Sequence, residues 1–588
     1  MSLQTFFHNF ALLADTPNGV NKLRELILQL AIRGQLDTQD NDDELSVDLA
    51  RKIQRYQATL IKSKQIRNSK PLPAIQPSEI LFEIPQSWQW IRLGEIGDWG
   101  AGATPDRKSP KYYGGNFRWF KSGELNDGYI RESEETITDL ALKECSLRLN
   151  QPGDVLIAMY GATIGKLAIL ETEATTNQAV CACTCFNGFY NQFLFVLLRA
   201  YKSHFTGRGA GGAQPNISRE KIIHTVAPLP PFEEQRRIVA KVDELMRLCD
   251  ELEARQQARR ASRLRLNNVT LAPLNRAASL APKEFEQASE RLGINFAALY
   301  DSAETVGRLR STILQLAVQG KLVGQDPRDE PASKLIASVK KEKARLLGER
   351  AIKRDKPSFP FKGSDIPYCL PDGWEWERIA NLITLKSGST LAPDMELSDG
   401  QIPYLKVGDM NLAGNEKVIT TSSRYVQRSH AIIKDIIPAN SIIFPKRGGA
   451  IATNKKRLVR SEIVIDSNTM AMICHRPMPL EYLHLWLMTV ELWQLNSGTS
   501  VPQINNKDIE PLLMQVPPLA EQKRIVAKVN QLMALCDELE TKLRQTEADS
   551  ERLMKAAVRD LLASITNEQS SIGQEKSRSE LALALSST

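Results

Sequence analysis

A stretch of 24 residues is written twice in this chain, and no other feature leaves the fold so few choices. PPFEEQRRIVAKVDELMRLCDELE runs from Pro230 to Glu253 and PPLAEQKRIVAKVNQLMALCDELE from Pro517 to Glu540, identical at 18 of 24 positions without a gap and 287 residues apart. Within each copy the apolar residues step by four and three: Ile238, Val242, Leu245, Cys249 and Leu252, then Ile525, Val529, Leu532, Cys536 and Leu539. That is the seam of a helix that pairs with another helix. The proline pair ahead of each copy cannot continue a preceding helix but suits a first turn, so each helix is predicted to begin just after it. Two matching seams predict that the copies pack on each other across a pseudo-twofold axis.

Two further echoes sit at nearly the same offset. LRELILQLAIRGQLDTQD from Leu23 returns as LRSTILQLAVQGKLVGQD from Leu309, an amphipathic helix (Leu23, Ile27, Leu30, Ala31 against Leu309, Ile313, Leu316, Ala317) stopped by Gly34 or Gly320. Basic helical segments follow, Arg51 to Arg67 and Lys334 to Arg354. IPQSWQWIRLGEI from Ile84 returns as LPDGWEWERIANLI from Leu370. A period of 286 residues is far too long for a solenoid, so the unit of helix, linker, globular segment and helix is used twice.

The expected domains are residues 1–83, a helical segment; 84–228, globular; 229–369, helical with a connector; 370–515, globular; and 516–588, helical. Glycine, aromatic and β-branched residues rise in the two globular segments. Runs such as DVLIAMYG from Asp154 and NSIIFPKRGG from Asn440 read as strands, while FLFVLLRAY from Phe193 and YLHLWLMTVELWQL from Tyr482 read as helices. The fold class is therefore α+β, with two β-rich domains separated by long helices. Their interiors match only in places, as for one scaffold carrying two reading surfaces. Residues 266–308 have no counterpart and are expected to be a helix-poor connector, with room for the end of the first seam helix to extend into it.

Composition, at 42% hydrophobic and 25% charged, is that of an ordinary globular chain, and the net charge of +7 permits nucleic acid without arguing for it. No apolar run reaches the length of a membrane span and Met1 onward lacks a signal-peptide pattern, so a cytoplasmic location is expected. Cys181, Cys183 and Cys185 alternate as on one face of a strand, and no CxxC spacing suggests a metal.

GRGAGG, from Gly207 to Gly212, matches a dinucleotide fingerprint in form, but Pro215 interrupts where its helix should begin. LPPF, from Leu229, approaches the NPPF motif of DNA amino-methyltransferases, yet Leu229 has no side-chain hydrogen bond for a base, and the second copy is VPPL. No phosphate loop of the GxxxxGK[ST] type occurs, and no catalytic or metal residue is assigned. What remains is binding. ATPDRKSPKYYGGNFRWFKSG, from Ala103, interleaves Arg107, Lys108, Lys111, Arg118 and Lys121 with Tyr112, Tyr113 and Trp119; Lys446, Arg447, Lys455, Lys456 and Arg457 surround a glycine turn in the second segment. Such groups can meet phosphates, and Gln214, Asn216, Gln503 and Asn505 either offer amides to adenine or, equally, stabilise their own turns.

Duplicated PPxxEQxxI helices, an ILQLAxxGxL helix and two divergent segments opening on PxxWxW resemble, over essentially the whole chain, the specificity subunit of a type I restriction–modification enzyme. The resemblance implies that each globular segment is a target recognition domain reading half of an asymmetric, interrupted site on double-stranded DNA. It implies that the long helices form an antiparallel coiled coil, which spaces the domains and docks two methyltransferase subunits. Those partners would bring S-adenosylmethionine and methylate adenine, while restriction subunits would bring ATP and magnesium; no cofactor is expected in this chain. The alternative is a single-chain adenine methyltransferase with fused recognition domains.

Overall fold

The duplication is carried into two compact units, residues 1–258 with 547–588 and residues 259–546. The computed structural model describes residues 18–36, 38–68, 70–208, 217–352, 362–428, 433–498 and 501–585, with side chains to 560. No helix among the described residues is long and apolar enough to cross a membrane.

Unit 1 opens on α1 (Gly19–Ala31), whose Leu23, Leu26, Ile27 and Leu30 are buried. It stops at Gly34, where φ is +68° and an added Cβ would lie 2.5 Å from Pro85 Cγ, so both backbone and space demand glycine. Helix α2 (Ser46–Lys62) follows. Then come β1 (Gln89–Arg92), β2 (Gly97–Ala101), β3 (Tyr113–Phe120), β4 (Gly128–Ile130), β5 (Glu135–Ile137), β6 (Val155–Ala158), β7 (Leu167–Leu170), β8 (Ala174–Thr176), β9 (Val180–Cys185), α3 (Asn191–Ala200), β10 (Val226–Leu229) and α4 (Phe232–Leu274). Strands β2-β9-β6-β7-β4 form one sheet, β5-β3-β8 a second, and β1 pairs with β10 at the base of the globular segment. Cys181 and Cys183 are buried on β9.

Unit 2 repeats this plan with α5 (Ala303–Val318), α6 (Ala332–Gly348), β11 (Glu375–Arg378), β12 (Ile383–Ser387), β13 (Ile402–Leu405), β14 (Tyr425–Val426), β15 (Ser441–Pro445), β16 (Arg457–Val459), β17 (Val464–Ile465), β18 (Thr469–Cys474), α7 (Leu480–Met488), β19 (Leu513–Val516) and α8 (Leu519–Leu585). Its sheets are β12-β18-β15-β16, β14-β13-β17 and β11-β19. The parallel pair β3–β8 recurs as β13–β17. Where β4 lies parallel to β7, unit 2 keeps one parallel bridge, Val418 to Leu458. The divergent interiors therefore share one topology.

Both long helices begin just after their proline pairs, as expected. Helix α4 starts in unit 1 and ends in unit 2, and α8 does the reverse, so they run in opposite senses. The expectation that the two copies pack on each other is corrected, because their seam residues lie in separate cores, one in each unit. In unit 1 the seam residues Ile238, Val242 and Cys249 enter a core with the ILQLA helix α1, and Met554 and Ala557 of α8 join it. In unit 2 Ile525, Val529 and Cys536 share a core with Leu309 and Ile313 of α5. Ion pairs fix the same contact twice, Arg24 with Asp250 and Glu253 (2.6 and 2.8 Å), and Arg310 with Asp537 and Glu540 (2.7 and 2.9 Å). A seam of period 3.5 accepts any helix of matching spacing, and the nearest one in each unit is its own.

The expectation of a helix-poor connector over 266–308 is corrected. Helix α4 runs on to Leu274, a second helix spans Pro282–Ile294, and α5 begins at Ala303. Residues 254–272 are rich in Ala, Arg, Gln and Leu, all good helix formers. Pro282 stands at a first turn whose Glu284 carboxylate accepts from the Ala281 N–H.

The doubled PPxxEQ and PxxWxW motifs turn out to be two sides of one clasp. The Glu234 carboxylate, buried at the start of α4, accepts from Trp88 Nε1 (2.8 Å), Gln39 Nε2 (2.8 Å) and Thr38 Oγ1 (3.2 Å). Glu521 likewise accepts from Trp374 Nε1 (2.9 Å) and Gln325 Nε2 (3.1 Å). Burial raises the pKa of both carboxyls above the usual range. Beside each glutamate, Gln235 and Gln522 donate to Pro230 O and Pro517 O (3.0 and 2.9 Å). Gln235 Oε1 also accepts from Tyr190 N, ahead of α3 (2.8 Å). The residue ahead of α7 is Pro479, which has no N–H, and Gln522 Oε1 is buried without a partner among the described residues.

This difference sets an expected outcome. Gln235→Leu strands the Tyr190 N–H, whereas Gln522→Leu removes an oxygen that is already unsatisfied. Gln235→Leu should therefore cost about 1–3 kcal/mol more, measured as unfolding free energies of the two variants in urea. Equal costs would contradict the assignment.

Candidate nucleic-acid interface

In each unit an inner strand of the main sheet ends at a residue held on both sides. After β6, Met159 N donates to Ala179 O (2.7 Å) and Met159 O accepts from Ile217 N (2.8 Å). After β15, Lys446 N donates to Asn468 O and Lys446 O accepts from Ile504 N, both at 2.8 Å. The following residues, Tyr160 and Arg447, are exposed, and the chain then turns at Gly161 and Gly448 with φ of +62° and +76°. Neither position stands out by periodicity. The available signal was a strand ending in an unlike residue before glycine, MYG in one copy and KRGG in the other.

The basic cluster of unit 1 is neutralised where it stands. Arg107 pairs with Glu135 and lies 4.8 Å over the Trp119 ring. Lys111 pairs with Glu144 (3.2 Å), to which Tyr112 also donates (2.9 Å). Lys121 meets Glu134 (2.7 Å) and Glu135 (3.1 Å), and Arg118 meets Glu132 (2.9 Å). These bonds to Arg107 and Lys121 hold the Glu135 carboxyl below its usual range. Lys108 is exposed, and its ammonium has no partner among the described residues. Trp119 is core, 1% exposed, with its indole donating to Ala103 O (3.1 Å), and so has no face for a base. Exposed ion pairs contribute only about 0–1 kcal/mol, so a phosphate can displace a carboxylate here at little cost.

The cluster of unit 2 is split by burial. Arg447 is exposed and Lys446 half-buried, its ammonium pushed down by burial and by Arg447. Lys455 donates to Asn411 Oδ1, and Arg457 donates to Lys456 O (3.2 Å). Lys456 is a correction to the sequence reading: it is 1% exposed and cannot reach a phosphate. Its Nζ donates to Val490 O (2.7 Å) and Asn454 Oδ1 (2.8 Å), and the same Asn454 oxygen accepts from Leu492 N (3.0 Å). Lys456 is thus a strut between the glycine turn and the segment carrying the half-exposed Trp493. Gln503 donates to Asn505 Oδ1 (2.8 Å) and Asn505 to Ser497 Oγ (3.3 Å), so both amides are engaged within their own turn. Gln214 and Asn216 lie outside the described residues, as does most of the GRGAGG run. Leu229, of the LPPF sequence, closes β10 and is fully buried.

Comparison with known proteins bears on this doubled arrangement. A family model described as the type I restriction modification DNA specificity domain matches residues 85–259 and again 371–546. The chain is 28% identical over 553 residues to the type I restriction enzyme EcoAI specificity subunit of Escherichia coli, covering 89% of this chain and 90% of that protein. It is 27% identical over 567 residues to the EcoEI specificity subunit of the same organism, covering 90% and 91%. Among solved structures, the HsdS subunit from Thermoanaerobacter tengcongensis aligns with 82% of this chain and 98% of its own, at 19% identity and a TM-score of 0.39.

The strut carries a pH signature. Burial pushes Lys456 from 10.5 down to about 8, with Glu491 opposing the shift and His484 nearby. As pH rises, the folded chain releases this proton before the unfolded chain does, so the native state gains stability between about 8 and 10.5. That gain is on the order of 3 kcal/mol. Lys456→Met lacks it, so the free-energy gap between wild type and variant should move in favour of wild type across that window in urea titrations. A gap that stays constant would contradict the buried ammonium.

Proposed function

Since the chain belongs to the type I restriction modification DNA specificity family, we propose that it is the sequence-reading subunit of such a system, directing the methylation and restriction carried out by partner subunits. The observation that carries this is the pairing of one backbone topology, used twice, with two unlike sets of exposed side chains. Matching frames place the two surfaces, and the surfaces differ. That is the arrangement required to read a bipartite, asymmetric site on double-stranded DNA, one half per unit.

The chain itself is not an enzyme. At the LPPF sequence, the place of the base-holding Asn of amino-methyltransferases is taken by Leu229, an apolar side chain closed inside β10. Two methyltransferase subunits supply S-adenosylmethionine and the transfer to adenine, and restriction subunits supply ATP-driven cleavage. The single-chain methyltransferase alternative has no supporting residue.

The purified chain with DNA and S-adenosylmethionine should transfer no methyl group, and transfer should appear on adding a methyltransferase partner. Turnover by the chain alone would overturn the reading. Independent reading has its own test. Replacing residues 84–228 by the matching segment of a relative should change one half of the methylated sequence and leave the other unchanged; concerted change of both halves would refute it.

A further inference from the structure

A side chain that reads a base needs a fixed origin, a free functional group and access to solvent, and in each unit one position combines all three. The backbone ahead of Tyr160 is clamped through both polar groups of Met159, and that ahead of Arg447 through both polar groups of Lys446. In unit 2 the clamp extends further. Arg447 forms a backbone bridge with Gln503, and Gly448 N donates to Pro502 O (2.8 Å). The left-handed glycine after each position turns the main chain aside. Both side chains are exposed, Tyr160 at 38%, and neither makes a hydrogen bond or ion pair among the described residues.

Arg447 differs in this from its basic neighbours, since Lys446 is half-buried, Lys455 and Arg457 are hydrogen-bonded and Lys456 is buried. A guanidinium is a rigid two-pronged donor, and an unengaged one on an anchored stem is suited to an acceptor pair of fixed geometry. On duplex DNA that pair is guanine O6 and N7 in the major groove. Phosphate contacts need no such anchoring, because they tolerate a flexible charge. Tyr160 holds the equivalent position with a single hydroxyl and a ring, so it cannot make the same contact.

We propose that Arg447 and Tyr160 are specificity-determining residues at equivalent points of the two recognition domains, and that Arg447 takes a guanine in the half-site read by unit 2. This rests on the DNA-reading function above.

The test uses the full chain assembled with its methyltransferase partners, selecting methylated sites from a randomised duplex library. With Arg447→Ala, discrimination for guanine at one position of one half-site should fall by roughly 10- to 100-fold while the other half-site is unchanged. Arg447→Lys keeps the charge but not the fork and should lose the same discrimination while retaining affinity for non-specific DNA. Arg447→Gln should shift that position toward adenine, and Tyr160→Ala should alter only the opposite half-site. An unchanged selected sequence, with or without a uniform loss of affinity, overturns the proposal and leaves the specificity function standing. A wild-type complex that selects no sequence removes both. Because these side chains are exposed and have no partner among the described residues, matching melting temperatures are expected for all four variants.

Discussion

A carboxylate taken out of water must have its lone pairs occupied, and each unit of this protein is assembled around one such group. Glu234 gathers the indole of Trp88, the amide of Gln39 and the hydroxyl of Thr38. The donors lie in the N-terminal helical region and at the opening of the globular segment, and the carboxylate itself lies at the start of α4, so one buried group sets the register of three stretches of chain. Glu521 does the same with Trp374 and Gln325. Withdrawing a donor from such a group costs about 1–3 kcal/mol, a sizeable share of a domain's net stability. The clasp fixes where β1 and β11 start, and through them where each pair of sheets stands on its long helix.

The two copies have drifted where the frame tolerates it. Gln522 retains its bond to Pro517 O but has no donor for its own oxygen among the described residues, with Pro479 standing where Tyr190 stands ahead of the helix in unit 1. Arg33 lies 4.8 Å over the Phe82 ring in unit 1. Its counterpart Gln319 instead donates to Asn275 O (2.8 Å) and accepts from Ala278 N (2.7 Å), tying down the connector ahead of α5. Such exchanges cost single hydrogen bonds and leave the strand order intact. A scaffold that absorbs them is free to vary the side chains it exposes, and varied side chains on a constant scaffold are what sequence reading requires.

Electrostatics refine that picture. In the basic cluster of unit 1, Arg107, Lys111, Arg118 and Lys121 are held by Glu132, Glu134, Glu135 and Glu144 rather than standing free. A surface neutralised by exchangeable carboxylates binds a polyanion more weakly than bare cations would. The balance of affinity then rests more on contacts to bases than on indiscriminate attraction to phosphate.

What the sequence by itself determined was the architecture. The doubled seams, the doubled glycine stops and the paired PPxxEQ and PxxWxW motifs are local patterns, and local patterns suffice to place helices, start them after prolines and count the domains. The strands of the two interiors were also visible, in DVLIAMYG and NSIIFPKRGG. Only the tertiary structure decided which partner each pattern meets. Periodicity marks which face of a helix is apolar without naming its partner, and so the seam of α4 is buried on α1 as well as on α8. Charge marks a side chain as costly to bury without saying whether it is buried, and so Lys456 became an internal strut while its neighbour Arg447 remained at the surface. The clamp around Met159 and Lys446 draws on residues more than 50 positions further along the chain, Ile217 and Ile504. No local window contains such a contact, because hydrogen bonds between distant strands and loops exist only once the sheets have formed.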